Sequence, residues 1–190
     1  MENLNQAVRK EGAIRGVLFG ILMLVVDILK LYYLAHASTS PILTFVVLYP
    51  VYYIILFGAA LLFISGLRNK IGRYWNLKQA ITGIFIMLIF TTLIWNNGIA
   101  LFSGKINPEL AEKAHVSFVA SRKAAMQSSH TPAKRIEQEV VSMNQTFAAG
   151  SKVTVQSFFR SLFVSVILVF AVSAVLGVLF KRERPAQPQA

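Results

Sequence analysis

The chain has 190 residues, 55% of them hydrophobic and only 14% charged, with a mean hydropathy of +0.58 and a formal net charge of +11. Soluble domains run at about 45–50% apolar and about 25% charged, so most of this chain is expected in lipid, with little left for a soluble domain. Cysteine is absent, which excludes disulfides, thiol redox chemistry and thiolate metal sites. The basic excess reads as membrane orientation rather than nucleic-acid binding, because basic residues at the ends of apolar spans set topology.

The first apolar stretch runs from about Ala13 to Leu34 and ends in Ala35-His36-Ala37, which imitates a signal-peptidase site. Asp27 and Lys30 inside it make a poor signal h-region, so an uncleaved helix is expected. Gly12, Gly16 and Gly20 form a small-residue row suited to close helix packing, within one bundle or between two copies. Asp27 lies seven residues past Gly20 on the same face and should point at another helix. An ionisable group at the centre of a span costs roughly 2.5–3.5 kcal/mol on insertion scales. Lys30, three residues on, is placed to pair with it.

The second span covers Pro41 to Ser65 and carries Tyr49, Pro50, Tyr52 and Tyr53. The third covers Ala80 to Phe102, with Trp95, Asn96 and Asn97 toward its end. Counted from the ends of antiparallel spans, Asp27, Lys30, the three tyrosines and the two asparagines fall at similar depth, with Ser161 and Ser165 of the fourth span, Phe158 to Phe180, slightly further out. Such a belt can hold the helices in register, with Pro50 freeing backbone carbonyls toward it, or can line a small pocket for an ion, lipid head group or solute.

Arg9, Lys10 and Arg15 at the first span, Arg68, Lys70, Arg73 and Lys78 between the second and third, and Lys181, Arg182 and Arg184 after the fourth all call for one side, while the "HASTS" link after the first span has no Lys or Arg. The positive-inside rule therefore places both termini in the cytoplasm. Ser103 to Gln156 then faces outward, although it holds seven Lys or Arg beside four Glu; long loops obey the rule weakly.

Within that segment Asn107 can cap a helix with Pro108 at its first position and Glu109 and Glu112 in its first turns. Leu110, Ala114, Phe118 and Ala125 supply its apolar stripe. A second start at Thr131-Pro132 leads into Ile136, Val140, Met143 and Phe147 at helical spacing. The expected unit is an outward amphipathic helical hairpin, resting on the membrane surface, on the span ends or on another protein. "AAGS" at Ala148 to Ser151 should break its second helix. His115 and His130 are read as solvated residues, since neither has a carboxylate or second histidine at ligand spacing. The closing "PAQPQA" reads as a disordered tail.

Catalytic motifs fail on inspection. Gly98 to Lys105 imitates a phosphate loop but has one residue too many before Gly104-Lys105, and Ile106 replaces the required Ser or Thr. HExxH and GxSxG are absent from the sequence, and the two halves share no transporter-like inverted repeat. No catalytic residue, metal site or cofactor is assigned, and the chain is read as a non-enzyme.

The order of features resembles the family of small bacterial membrane proteins called domain of unknown function 4199. The resemblance rests on the entry "EGAIRGVLFGILML", the middle "RNKIGRYWNLKQAITGIFIMLIFTTLIWNNGIALF", and "KINPEL" opening an amphipathic helix, completed by the fourth span and its short basic tail. It covers nearly the whole chain. It implies a four-span protein of the bacterial cytoplasmic membrane with no assigned activity.

The expected fold is thus an all-helical, four-span bundle with a helical hairpin between the third and fourth spans. The expected role is an accessory or scaffolding subunit with membrane lipid and either a membrane-protein partner or a second copy as its contacts. The alternative is a small-solute or ion pathway around Asp27 and Lys30.

Overall fold

A computed structural model of the chain describes residues 2–36, 41–151 and 155–182. The link after His36, the Ser161 side chain and the tail beyond Arg182 lie outside the described residues. The elements are α1 (Glu2–His36), α2 (Pro41–Val46), a π-helical turn (Val47–Val51), α3 (Tyr52–Lys70), α4 (Leu77–Leu101), a second π-helical turn (Phe102–Ile106), α5 (Pro108–Ser128), α6 (Ala133–Ser151) and α7 (Val155–Phe180). Among the described residues four helical stretches are long and apolar enough to cross a membrane: Leu4–His36, Pro41–Lys70, Leu77–Ile106 and Leu162–Phe180. The protein is an all-helical, multi-pass membrane protein, with no strand among the described residues.

Local chemistry explains the element ends. Asn76 and Gln79 open α4 as a reciprocal capping box, the Gln79 N–H donating to Asn76 Oδ1 at 2.9 Å and the Asn76 N–H to Gln79 Oε1 at 3.1 Å. Gly72 at φ +100° makes the turn between α3 and α4, a left-handed conformation that glycine adopts without steric penalty. Asn107 caps α5, its side chain accepting from the Leu110 N–H at 3.1 Å, and Pro108 stands at the first helical position. The π turn Val47–Val51 contains Pro50, whose missing N–H and ring bulk displace the regular hydrogen-bond ladder.

The chain divides into two compact units. The first comprises Met1–Met23, Phe57–Trp95 and Phe159–Ala190. Here α1 packs against α4, because the glycine row lets the backbones approach. A methyl group on Gly12 would come to 2.9 Å from the Gly83 carbonyl oxygen, on Gly16 it would meet the Met87 carbonyl oxygen and Phe90 Cβ, and on Gly20 it would fall 2.8 Å from Ile94 Cβ. The row is therefore spent on packing within one chain. The Thr91 hydroxyl reinforces this contact, lying 3.1 Å from the Gly16 carbonyl and 2.8 Å from that of Met87.

Phe19 of α1 stacks on Phe63 of α3 with ring centroids 5.1 Å apart, and Phe85 of α4 meets Phe170 of α7 edge-on at 6.0 Å. Val8, Phe19, Met23, Ile64, Leu67, Trp75, Ile84 and Met87 form the core. The opposite faces carry exposed Leu18, Ile21, Leu62, Leu168 and Leu179, as suits helices surrounded by lipid. Trp75 and Arg182 exchange backbone hydrogen bonds at 3.0 and 3.2 Å, and the Trp75 indole donates to the Phe180 carbonyl at 2.7 Å. The loop between α3 and α4 is thereby tied to the end of α7, and Gln79 reaches Asn5 of α1 at 3.3 Å.

The second unit comprises Leu24–Leu56 and Asn96–Phe158. In it α5 and α6 run antiparallel, since His115 meets Asn144 while Arg122, further along α5, meets Glu139, further back on α6. Helix α5 also packs on α2, where Thr44 is buried and the Arg122 guanidinium lies 5.5 Å over the Phe45 ring. Helix α6 departs from expectation by running through Ser151. The single Gly150 in "AAGS" costs only about 1 kcal/mol relative to alanine in a helix interior, and with no proline there the hydrogen-bond ladder continues.

Candidate functional site

Two features of the second unit combine polar chemistry with an apolar setting. The first is centred on Asp27, which is 6% exposed. It follows Gly12, Gly16, Gly20 and Met23 on the buried face of α1, as the helical period requires. The Lys30 ammonium donates to its carboxylate from one turn on. The same ammonium lies 4.4 Å above the centroid of the Tyr52 ring, and the Tyr52 hydroxyl hydrogen-bonds to Asp27. Tyr53 touches Tyr52 edge-on at 5.8 Å.

The result is a three-part cluster in which a carboxylate, an ammonium and an aromatic ring satisfy one another's charge, lowering the desolvation cost each would carry alone. The π turn at Pro50 immediately precedes Tyr52, and a π insertion rotates every residue that follows it relative to a regular helix. Tyr49, on the turn itself, is exposed and stacks on Phe45 at 5.7 Å instead. Asn96 and Asn97 are exposed positions of α4. Sequence reasoning overlooked Tyr33, whose hydroxyl is buried without a hydrogen-bond partner in the same unit; its place among apolar neighbours gave no periodic signal.

The second feature is an open groove of about 850 Å³ along α5 and α6. Phe118, Met143 and Phe147 supply its apolar surface, and His115, Arg135 and Glu139 its polar edge. His115, read from sequence as merely solvated, stacks face to face on Phe147 at 4.1 Å, and its Nε2 lies 2.9 Å from Asn144 Oδ1. Arg122 binds Glu139 through Nε at 2.9 Å and through its terminal nitrogen at 2.8 Å. The imidazole is therefore part of the contact between the two helices. A smaller cavity of about 420 Å³ is shared by Ala35 at the end of α1 with Glu109, Glu112 and Val116 of α5. The smaller cavity and the Arg122 stack place α5 against the ends of the first two spans. Among the described residues no group of three His, Cys, Asp or Glu side chains could hold a metal ion.

A family model described as "Protein of unknown function (DUF4199)" matches residues 15–182. No curated protein and no solved structure matches the chain. The match takes in most of the first span and the other three spans together with α5 and α6, and the chain belongs to this family.

Proposed function

We propose that this DUF4199 protein is an accessory or scaffolding subunit of a membrane complex, holding a partner membrane protein through the groove between α5 and α6. The groove carries the reading, because it is an open surface on which apolar floor and charged rim come together. Two further observations support it. The glycine row, a ready helix-association surface, is already occupied by α4. The charges of Asp27 and Lys30 inside the first span neutralise each other. What remains for recognition is α5 and α6. In this reading the protein works by contact rather than catalysis, without a cofactor and without nucleic acid.

The orientation we adopt sets both termini in the cytoplasm of a bacterial inner membrane and α5 and α6 outside. Its support is that the N-terminal start of α1, the basic loop and the end of α7 are joined by the Asn5–Gln79 and Trp75–Arg182 contacts. The segments bearing Arg9, Lys10, Arg73, Lys78 and Lys181 thus share one face, and positive charge favours the inside.

The test is purification of the tagged protein, expressed at native level, in mild detergent, with mass spectrometry of what stays bound and a mass determination of the particle. A stoichiometric partner that is lost on Met143→Glu, with the variant still folded, is the expected result. A bare monomer or a homo-oligomer overturns it. The alternative, an ion or small-solute pathway, draws on Asp27 being a buried carboxylate inside a span. Flux into liposomes that disappears with Asp27→Asn at unchanged folded yield would favour that alternative.

A further inference from the structure

A cavity of about 200 Å³ in the first unit lies between the start of α1 and the start of α4. It is well above the roughly 10–15 Å³ that admits one water, so it has room for a small anionic group. Val8, 1% exposed, supplies its buried floor. Val8 fits there because position 83 is glycine: a methyl group on Gly83 would come to 3.0 Å from Val8 Cγ1. This close approach sets Arg9, the next residue of α1, and Lys78 of α4 on the same cavity.

The amides lining the cavity have their oxygens engaged within the protein. Gln79 Nε2 donates to Asn5 Oδ1 at 3.3 Å, the Asn76 N–H to Gln79 Oε1 at 3.1 Å, and the Gln79 N–H to Asn76 Oδ1 at 2.9 Å. What the lining residues still offer is N–H: the side-chain nitrogens of Asn5 and Asn76, the Arg9 guanidinium and the Lys78 ammonium. Among the described lining residues none is acidic. Lys78 also stands in the first turn of α4, which holds no acidic residue and where the helix dipole favours negative charge. A concave surface with two cations from separate helices, donors to spare and its amide oxygens already accepting selects an anion. Phosphate suits it best. Arg9 presents paired N–H donors that match two phosphate oxygens, and Lys78 adds a point charge. Arg9 lies four residues before Ala13, where the apolar stretch begins, about 6 Å in rise and at the depth of a bilayer's headgroups.

We propose that the cavity between the starts of α1 and α4 binds a phosphate group, held by Arg9 and Lys78 with the Asn5 amide as a neutral donor. The phosphate can belong to an anionic lipid headgroup or to a free anion, and the chemistry of the contact is the same. The site differs from general attraction of basic segments to an anionic surface, because it needs two particular cations on one cavity rather than net charge.

The experiment delipidates the purified full-length protein in detergent. Native mass spectrometry then measures retention of phosphatidylglycerol against phosphatidylcholine, and thermal unfolding measures protection by inorganic phosphate. Preferential retention of phosphatidylglycerol is expected and assigns the phosphate to lipid. Equal retention of both lipids with protection by inorganic phosphate assigns it to a free anion. In either case Arg9→Gln and Lys78→Gln should each weaken binding about tenfold, the loss of one charge-assisted hydrogen bond. Asn5→Leu, which leaves the net charge unchanged, should weaken it about threefold, as for a neutral donor. Lys10→Gln and Lys70→Gln remove the same charge outside the cavity and should change binding less than about twofold. Binding that ignores Arg9 and Lys78, losses as large at Lys10 and Lys70, or no preference between the lipids and no protection by phosphate would each overturn the site. Arg9 and Lys78 are both exposed, so their variants are expected to fold, and if one does not the other decides. None of these outcomes depends on whether a protein partner is found.

Discussion

The two units solve the problem of lying in lipid by different means. In the first, helices are held by close approach: glycines of α1 against the backbone of α4, Phe19 on Phe63, and a single threonine hydroxyl bridging to Gly16. In the second, helices are held by polar groups that answer one another: Asp27 with Lys30 and Tyr52, Arg122 with Glu139 and Phe45, His115 with Asn144 and Phe147. Lipid tails are as apolar as leucine, so burial alone drives little association between spans. Packing precision and polar pairing are the two remaining sources of cohesion. The contrast teaches that substitution by size should harm the first unit and substitution by charge the second.

The largest expected effect tests the first half of that contrast. Gly16→Leu has no space, with the Met87 carbonyl and Phe90 in the way, and should destabilise by about 3 kcal/mol, the upper range for overpacking. Gly58→Leu, where nothing stands within 4 Å, should leave thermal unfolding in detergent unchanged. If both variants unfold alike, the α1–α4 contact is not what holds the first unit.

Next in size is Lys30→Met, which leaves the buried Asp27 carboxylate without its cation. Breaking a buried pair costs about 3–5 kcal/mol, and partial exposure of Lys30 brings the expectation down to about 2–3 kcal/mol. The double variant Asp27→Leu with Lys30→Leu should recover most of that loss, because an apolar pair needs no neutralisation. Unfolding by titration with a harsh detergent separates the cases: failure of the double variant to recover would mean that Tyr52 and Asp27 matter for more than mutual charge balance.

Much of this was legible in the sequence wherever the signal was local and periodic. The face shared by Gly12, Gly16, Gly20 and Asp27 follows from 3.6 residues per turn, and Asn107 before Pro108 marks a helix start by its own chemistry. Contacts between residues far apart in the chain left no such trace. Nothing around Trp75 announces that its backbone pairs with Arg182, and nothing around Gly66 announces that it admits Arg15. Pro50 signalled a disturbed ladder, but a proline does not say how far the following residues are turned, so the meeting of Tyr52 with Lys30 could be placed only by depth. Asn96 and Asn97 matched that depth yet are exposed on α4, because depth counts residues along an axis and ignores rotation about it.

A smaller effect probes the threonine contact at the close approach of α1 and α4. The Thr91 hydroxyl accompanies the Gly16 and Met87 carbonyls; Thr91→Val keeps the shape, removes the donor and should cost about 1 kcal/mol. Thr92, whose hydroxyl meets only the Leu88 carbonyl of its own helix, supplies the comparison, and Thr92→Val should be near neutral in thermal unfolding. Equal effects at the two positions would assign the stabilisation to the local helix rather than to the α1–α4 contact.

The smallest effect falls on the second unit's more exposed ion pair. Arg122 and Glu139 each keep 36% of side-chain exposure, so their mutual attraction is screened, and Glu139→Gln should change stability by only about 0.5 kcal/mol despite the two-point geometry. Arg122→Gln should exceed it, because Arg122 also covers Phe45 of α2, and a guanidinium over an aromatic ring contributes about 0.5–1 kcal/mol of its own at an exposed site. A double-mutant cycle read by thermal unfolding at low and high salt separates the parts, since salt weakens the ion pair much more than the packing on Phe45. A residue of the Arg122 effect that persists at high salt is the contribution by which α5 is held to α2. If the whole effect vanishes with salt, charge alone joins them, and α5 is free to lift from the span end when a charged partner competes for Arg122.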